Sequence, residues 1–516
     1  MRPVAQNCLI EAGAILVGVD ADGRMQVREN AAIVVEDGRI ARIDPLVAIG
    51  HGVDQLPRFG GSHVVAIPGL VNGHHHFGVT PLMQGVTFAP LELWLPQFRA
   101  MRRIPPRLDT LYSAIEMLES GTTTVQHIHS GLSGTPDIWM AQATAILGAY
   151  SDIGMRAGFS FMIRDRNILG YGPDADILAQ LPLPSRAWIE PQLKAAAIPI
   201  ADLMAFHRNL RTQLLPGYED RRRFNLAPAN LHWVSDEGLQ TIFETARATD
   251  ARIHMHLVET ERQAEFARRR FGRSAVQHLK ALECLGPEAT FGHGNWMSAE
   301  DLDTIAECRC SICHNASSGL RLGSGIAPVN AMRQRGIPIA LGIDQSNIAD
   351  DRDMTLEMKL VWALHRETGL FNERPDAAAI LQMATQHGAE TVGFGGFTGR
   401  LEPGYQADIV LMDRARLERP FVNRRTPLAE TVLHRGGRGA IRQVFVGGRL
   451  VVDEGRVISI DRDAVLAELG EVLSQPETAG EETGWQAVQD LLPVLEAHQR
   501  GENLGHGYRP YRYNAL

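Results

Sequence analysis

The stretch Pro68-Gly69-Leu70-Val71-Asn72-Gly73-His74-His75-His76 holds the first residues whose types and spacing could do chemistry. A short β-branched run, Val64 to Ile67, leads into it and reads as a buried strand entering the core. His74 and His76, two residues apart, point to the same side of an extended chain. Two imidazoles converging at a strand end are half of a metal site. Four later stretches put metal-competent side chains at predicted strand ends: Arg252 to Thr260 with His254, His256 and Glu259; Ala289 to Gly294 with His293 between glycines; Ser311 to Gly319; and Ile339 to Asp344. Taken singly, a His near a strand end is usually a hydrogen-bonded structural residue, and an Asp after a strand is usually a helix N-cap. There are also three His-x-His pairs, His74/His76, His127/His129 and His254/His256, so the pairs alone do not choose the ligands. Coincidence at the ends of successive strands is what gives the set weight. Glu259 lies an odd offset from His256, so both serve one site only if the strand has ended between them.

The elements around these residues predict how they meet. Residues 1–66 read as short strands, among them Ala14 to Val19 and Ala31 to Val35. From about 68 to 390, apolar strands alternate with helical stretches such as Thr110 to Glu119, Leu239 to Thr249, Ala299 to Glu307 and Leu356 to Glu367. That alternation predicts an α/β (β/α)8 TIM barrel over 67–399. Residues 164–222, rich in Pro and Gly, read as an insertion over one barrel face. Strand texture returns after Gly399, in Ala407 to Met412 and in Val444 to Val452 around Gly447-Gly448. Residues 1–66 and 400–458 are therefore expected to form one composite β-sandwich domain. The extension 459–516 holds two amphipathic helices, Asp463 to Leu473 and Ala487 to Ala497, then a Tyr-rich irregular piece from Gly501 to Leu516.

Composition narrows the function classes. The chain has 516 residues, 44% hydrophobic and 22% charged, with a net charge of -9. That balance argues against nucleic acid or an anionic membrane as partner. Five cysteines suit a reducing compartment, and no signal peptide or transmembrane run is expected, so the expected location is cytoplasmic. Cys308, Cys310 and Cys313 have metal-like spacing but read as core packing.

The ordered motifs resemble the amidohydrolase superfamily, in its aminohydrolase (deaminase) and s-triazine hydrolase branch. Pro68 to His76, His256-Leu257-Val258-Glu259-Thr260, His293-Gly294, the run from His314-Asn315 to Pro328, and Leu341-Gly342-Ile343-Asp344 carry the resemblance. It extends from about residue 10 to 455. It implies His74, His76, His256 and Asp344 as metal ligands, with Glu259, His293 and Asp344 as the catalytic groups. His254 becomes a structural strand residue, and His127 and His129 face the pocket or pack beneath it. Three imidazoles and a carboxylate suit one Zn²⁺, and the set also suits Fe²⁺. The predicted fourth strand, Phe224 to Ala229, lacks the Lys that bridges two metals in binuclear relatives. Hydroxide generated at the metal would attack a ring carbon while Glu259 protonates the adjacent nitrogen.

One departure stands out: the family's Asn-Pro-x-Ser-Asn run is here Asn315-Ala316-Ser317-Ser318-Gly319, which predicts a looser loop by the site. Asp350-Asp351-Arg352-Asp353 reads as acids at a helix start. Trp94, Gln84, His129, Arg164 and His232 are the candidate substrate contacts, with Trp94 equally well read as packed under a lid. The expected function is hydrolytic deamination of a nitrogen heterocycle or related C=N compound, releasing ammonia. The rival readings are loss of chloride or an alkylamine from a triazine-like ring, hydrolysis of an amide or urea bond, or a non-catalytic scaffold. The expected partners are a small-molecule substrate and, as a homodimer, a second copy of the chain.

Overall fold

The computed structural model describes residues 7–49 and 53–501, so most of the Tyr-rich stretch lies outside the described residues. Four strands open the chain: β1 (Cys8–Val19), β2 (Met25–Glu36), β3 (Arg39–Pro45) and β4 (Arg58–Pro68). The barrel follows with β5 (Leu70–His75), β6 (Thr122–His129), β7 (Arg156–Ile163), β8 (Arg222–Phe224), β9 (Ala227–Pro228), β10 (Ile253–Leu257), β11 (Ala289–His293), β12 (Ser311–His314) and β13 (Ile339–Leu341). Then come β14 (Ile409–Asp413), β15 (Ile441–Val446), β16 (Arg449–Asp453) and β17 (Arg456–Val457).

Both chain ends build one eight-stranded sheet, in the order β17-β16-β15-β14-β4-β1-β2-β3. It makes the composite β-sandwich, with its own core of Cys8, Ile10, Ala12, Ile15, Val17, Leu401 and Phe445 among others. The inward set in β1 changes parity between Ala12 and Ile15, where the pairing with β4 slips. Gly13 sits at that slip, and a Cβ there would lie 2.3 Å from the Ser62 carbonyl oxygen. The Gly447-Gly448 turn is observed with φ of 55° and 72°, the left-handed pair that a two-residue hairpin needs. Val64 to Ile67 belongs to this sheet as part of β4, not to the barrel. Pro68 and Gly69 end it, and the Gly69 N–H donates to the Asp408 carbonyl at 2.9 Å.

Eight barrel positions follow in sequence order, the fourth split into β8 and β9. Parallel pairing runs β5-β6-β7-β8 and β10-β11-β12-β13. Two bridges close the ring, Leu226 to Ile253 and His75 to Asp344. The second bridge joins Asp344 to the residue between His74 and His76. At the base, Arg156 of β7 donates to Asp408 at 2.7 Å, both side chains buried, and this ion pair ties barrel to sandwich.

The segment 164–222 is not one insertion. Helices Asp174–Leu178 and Leu183–Ala196 cross the barrel mouth, but Ile200–Leu214 packs between Pro136–Ile153 and Asp236–Thr249 as an ordinary outer helix. Pro and Gly in its approach hid that helix. The extension forms Arg462–Ser474 and Ala479–Gly501, and the longer helix lies on Leu183–Ala196.

Candidate active site

The site forms where β5, β10, β11 and β13 end on one barrel face. His74 and His76 meet at 3.1 Å through their Nε2 atoms, and His76 Nε2 lies 3.2 Å from His256 Nε2. Asp344 Oδ1 lies 3.6 and 3.4 Å from the Nε2 atoms of His74 and His76. All four residues are buried. His76 Nδ1 lies 3.0 Å from the Ile128 carbonyl and His256 Nδ1 3.0 Å from the Ala229 carbonyl. Carbonyls only accept, so both rings carry their proton on Nδ1 and turn an Nε2 lone pair inward. Several lone pairs and a carboxylate oxygen without a hydrogen-bond donor thus face one point. A cation satisfies such a cluster where no proton can. For metal–ligand bonds of about 2.0–2.1 Å, tetrahedral ligand atoms stand about 3.3–3.4 Å apart, which matches these separations.

Three strand ends turn through left-handed backbone. Val258, His293 and Asp344 have φ of 43°, 70° and 64°. For β-branched Val258 this is costly and persists only because the surroundings fix it. The turn at Val258 resolves the odd offset: β10 stops at Leu257, and Glu259 comes back into the cavity that His256 lines. Gly342, just before Asp344, lies where a Cβ would sit 2.3 Å from Asn315 Oδ1 and 2.5 Å from His74 Cβ. Only glycine lets the chain after β13 approach His74 and Asn315 this closely.

Burial keeps the imidazoles neutral: His76 is pulled down to about 4, His254 and His293 to about 3, and His74 and His256 well below the usual range. Burial pushes Asp344 up to about 7 against the opposing Ser318 hydroxyl, which donates to Oδ2 at 2.6 Å. A cation beside Asp344 acts in the opposite direction. Burial, then the charges of Asp344 and Glu92, push Glu259 well above the carboxylate range. His293 Nε2 stands 3.8 Å from Glu259 and 4.0 Å from Asp344, so the two acids and this imidazole share one space.

His254 has more than a strand role. Its Nε2 lies 2.7 Å from His74 Nδ1, beneath the cluster. A neutral His254 accepts that proton and keeps His74 Nε2 free for the centre. The parity of His254 with His256 was the available signal. The run from Asn315 is not loose: Ala316–Arg321 is a short helix, Ser317 is held by Glu357, and Ser318 reaches Asp344. Ala316 and Gly319 stand where the proline and the second asparagine are expected, and the buried hydroxyls of Ser317 and Ser318 between them have fixed partners in Glu357 and Asp344. Arg352, within the acidic run, donates to the Phe77 carbonyl at 2.9 Å and so fixes the exit of β5, while Asp353 caps the following helix.

A cavity of about 390 Å³ opens above the cluster, and a wider cleft of about 890 Å³ adjoins it. Arg164 lines both, over the Trp233 ring at 4.2 Å. His232 lines the inner cavity, its ring between Tyr171 and Trp233. Gln84 and His129 line only the outer cleft, not the cavity above the histidine cluster. His127 packs beneath, 2.9 Å from the Tyr150 hydroxyl. Trp94 does not face the cavity; it is buried between Phe88 and Phe98. Its neighbours Glu92 and Phe98 line the wall instead. Glu92 accepts from Tyr171 at 2.8 Å and from Thr260 at 2.7 Å, which joins three segments across the mouth. Cys313 is buried beside His74 and His254, and burial pushes its thiol well up, away from a thiolate ligand.

Residues 65–451 match the Amidohydrolase family. The chain belongs to the amidohydrolase family. Among curated amidohydrolase relatives, the 8-oxoguanine deaminase of Pseudomonas aeruginosa is 32% identical over 463 residues, 87% of this chain and 94% of that protein. A 5-methylthioadenosine/S-adenosylhomocysteine deaminase of Thermodesulfovibrio yellowstonii is 28% identical, over 86% of this chain and 93% of its own. The fold recurs in an adenosine deaminase from Xanthomonas campestris with bound zinc, at a TM-score of 0.72 and 24% identity over 91% of this chain and 98% of that one. It recurs again in an atrazine chlorohydrolase from Arthrobacter aurescens complexed with zinc, at 0.76 and 20%, over 90% and 100%. Among the described residues, no helix is long and apolar enough to cross a membrane.

Proposed function

We infer that this amidohydrolase is a metal-dependent deaminase acting on a purine or a related nitrogen heterocycle. The observation that carries the reading is the buried cluster of His74, His76, His256 and Asp344, whose Oδ1 has no donor of its own. These four residues would hold one Zn²⁺; the donor set also suits Fe²⁺. When bound, the ion supplies a Lewis acid that lowers the pKa of water into the neutral range. Asp344 takes the proton of the attacking water. Glu259, kept protonated by burial, gives its proton to a ring nitrogen as the water oxygen bonds the adjacent carbon. His293 hydrogen-bonds the incoming oxygen. The amino group then receives a proton through Asp344 or Glu259 and leaves as ammonia. Arg164 and His232 are the substrate contacts in the inner cavity, with Gln84 and His129 along the approach.

The purine class rests on the relatives, two of which act on 8-oxoguanine and on 5-methylthioadenosine or S-adenosylhomocysteine, as their names state. The test is ammonia release by the Zn²⁺-loaded protein from 8-oxoguanine, 5-methylthioadenosine, 5′-deoxyadenosine and aminated triazines. Turnover of at least one purine is expected. Ammonia from none, with turnover of a chlorinated triazine, overturns the reading. Glu259→Gln should abolish turnover at unchanged metal content. The same reading has the enzyme work in the cytoplasm as a homodimer, which light scattering and cell fractionation test.

A further inference from the structure

The cavity has one lining residue, Gln499, that neither a barrel strand nor a βα segment supplies. Helix Ala479–Gly501 lies outside the family match, which ends at residue 451. The relative from Pseudomonas aeruginosa is matched over 94% of its own length, and that match covers 87% of this chain. The helix nonetheless binds both segments that enclose the cavity. Its Ala487, Leu491 and Leu495 pack with Leu169, Ile177 and Ile189 of the segment after β7. Trp485 packs on the cluster of Leu91 and Trp94, after β5. Arg102 pairs with Glu481 at 2.7 Å and Ser185 donates to Asp490, so polar contacts fix the helix on both sides.

Its last described turns carry Gln499 into the cavity lining, alongside Tyr171, Gln192 and Glu259. Gln499 is 7% exposed, and its Oε1 is buried with no partner among the described residues. A buried carboxamide left unpaired is unfavourable, and native structures keep few without a reason. An amide presents a donor and an acceptor side by side. Its complement is a ring edge with the same pair reversed, such as an adjoining C=O and N–H, or an amino group beside a ring nitrogen.

We propose that Gln499 is a specificity-determining residue whose carboxamide hydrogen-bonds the heterocycle edge not engaged by Glu259, so that helix Ala479–Gly501 is part of the substrate site. This rests on the deaminase reading above. The experiment compares wild type, Gln499→Met and the exposed control Ala497→Ser on whichever of 8-oxoguanine, 5-methylthioadenosine and 5′-deoxyadenosine releases ammonia. The expected result is a KM raised about three- to tenfold in Gln499→Met, with kcat and metal content unchanged and the control like wild type. A KM equal to wild type overturns the proposal. Should wild type release ammonia from none of them, the deaminase reading has failed, and the placement is then read without substrate. Gln499→Cys should react with N-ethylmaleimide several-fold more slowly than Ala497→Cys; equal rates overturn it.

Discussion

Replacing His254 with Phe isolates the support beneath the metal cluster. The Phe ring keeps the contact with the His74 ring, whose centroid lies 4.8 Å away. It removes only the nitrogen that stands 2.7 Å from His74 Nδ1. His74 then has two poor choices. With its proton on Nδ1, it buries an unpaired donor, at about 1–3 kcal/mol. With its proton on Nε2, it has no lone pair for the ion. Either way the loss falls on the metal-bound form, and at 1.4 kcal/mol per decade it weakens Zn²⁺ roughly 5- to 150-fold. Measured losses of such outer partners, about 10- to 100-fold, fall in the same range. The assay is competition for Zn²⁺ against a chromogenic chelator, with circular dichroism to confirm the fold. His254→Gln restores an acceptor and should recover most of the affinity. A folded His254→Phe variant that binds Zn²⁺ within about threefold of wild type refutes the role of His254.

Arg156→Ala strands a buried Asp408 at the join of barrel and sandwich and should destabilise the protein by about 3–5 kcal/mol, read as a lower midpoint in urea, with the metal affinity little changed. Glu481 tests the docking of the long helix through pH. Arg102 holds its carboxyl down at about 2, below an unfolded value near 4.5. The pair therefore stabilises above about pH 4.5 and fades as pH falls towards 2. Melting temperatures of wild type and Glu481→Gln should differ at pH 6 and converge near pH 2; a gap that persists at pH 2 removes the pair from the account.

Much of the site could be read from the chain because its signals are local. His74 and His76 need only strand parity to face one way, but parity does not choose among the three His-x-His pairs, and an Asp after an apolar strand reads as readily as a helix N-cap, so the choice of this set came with the family resemblance. Glu259 could be read only as a condition, that the strand ends first; the left-handed Val258 meets it, and no propensity scale anticipates that conformation in a β-branched residue. Loop residues fared worse. Trp94 carries the stronger aromatic signal, but Phe88 stacks on it and Phe98 meets it in a T-shaped contact, and Glu92, two residues earlier, lines the cavity. The side of a loop that faces a ligand depends on what packs behind it, and here that includes Trp485 from the far end of the chain. His254 shares parity with His256 but sits one layer lower, a difference in depth that spacing cannot express. The helix Ile200–Leu214 was hidden because Pro199 opens it amid a Pro-rich stretch.

The β4 strand has a consequence for synthesis. Its partner β14 pairs Ile409 with Pro68, about 340 residues later in the chain. At ribosomal rates of about 5–20 residues per second, that partner emerges on the order of 20–70 s after β4. Throughout that time Val64 to Ile67 offers an apolar, unpaired edge of the kind that templates association. Slower elongation lengthens that exposure, and chaperone cover over those seconds shields the edge.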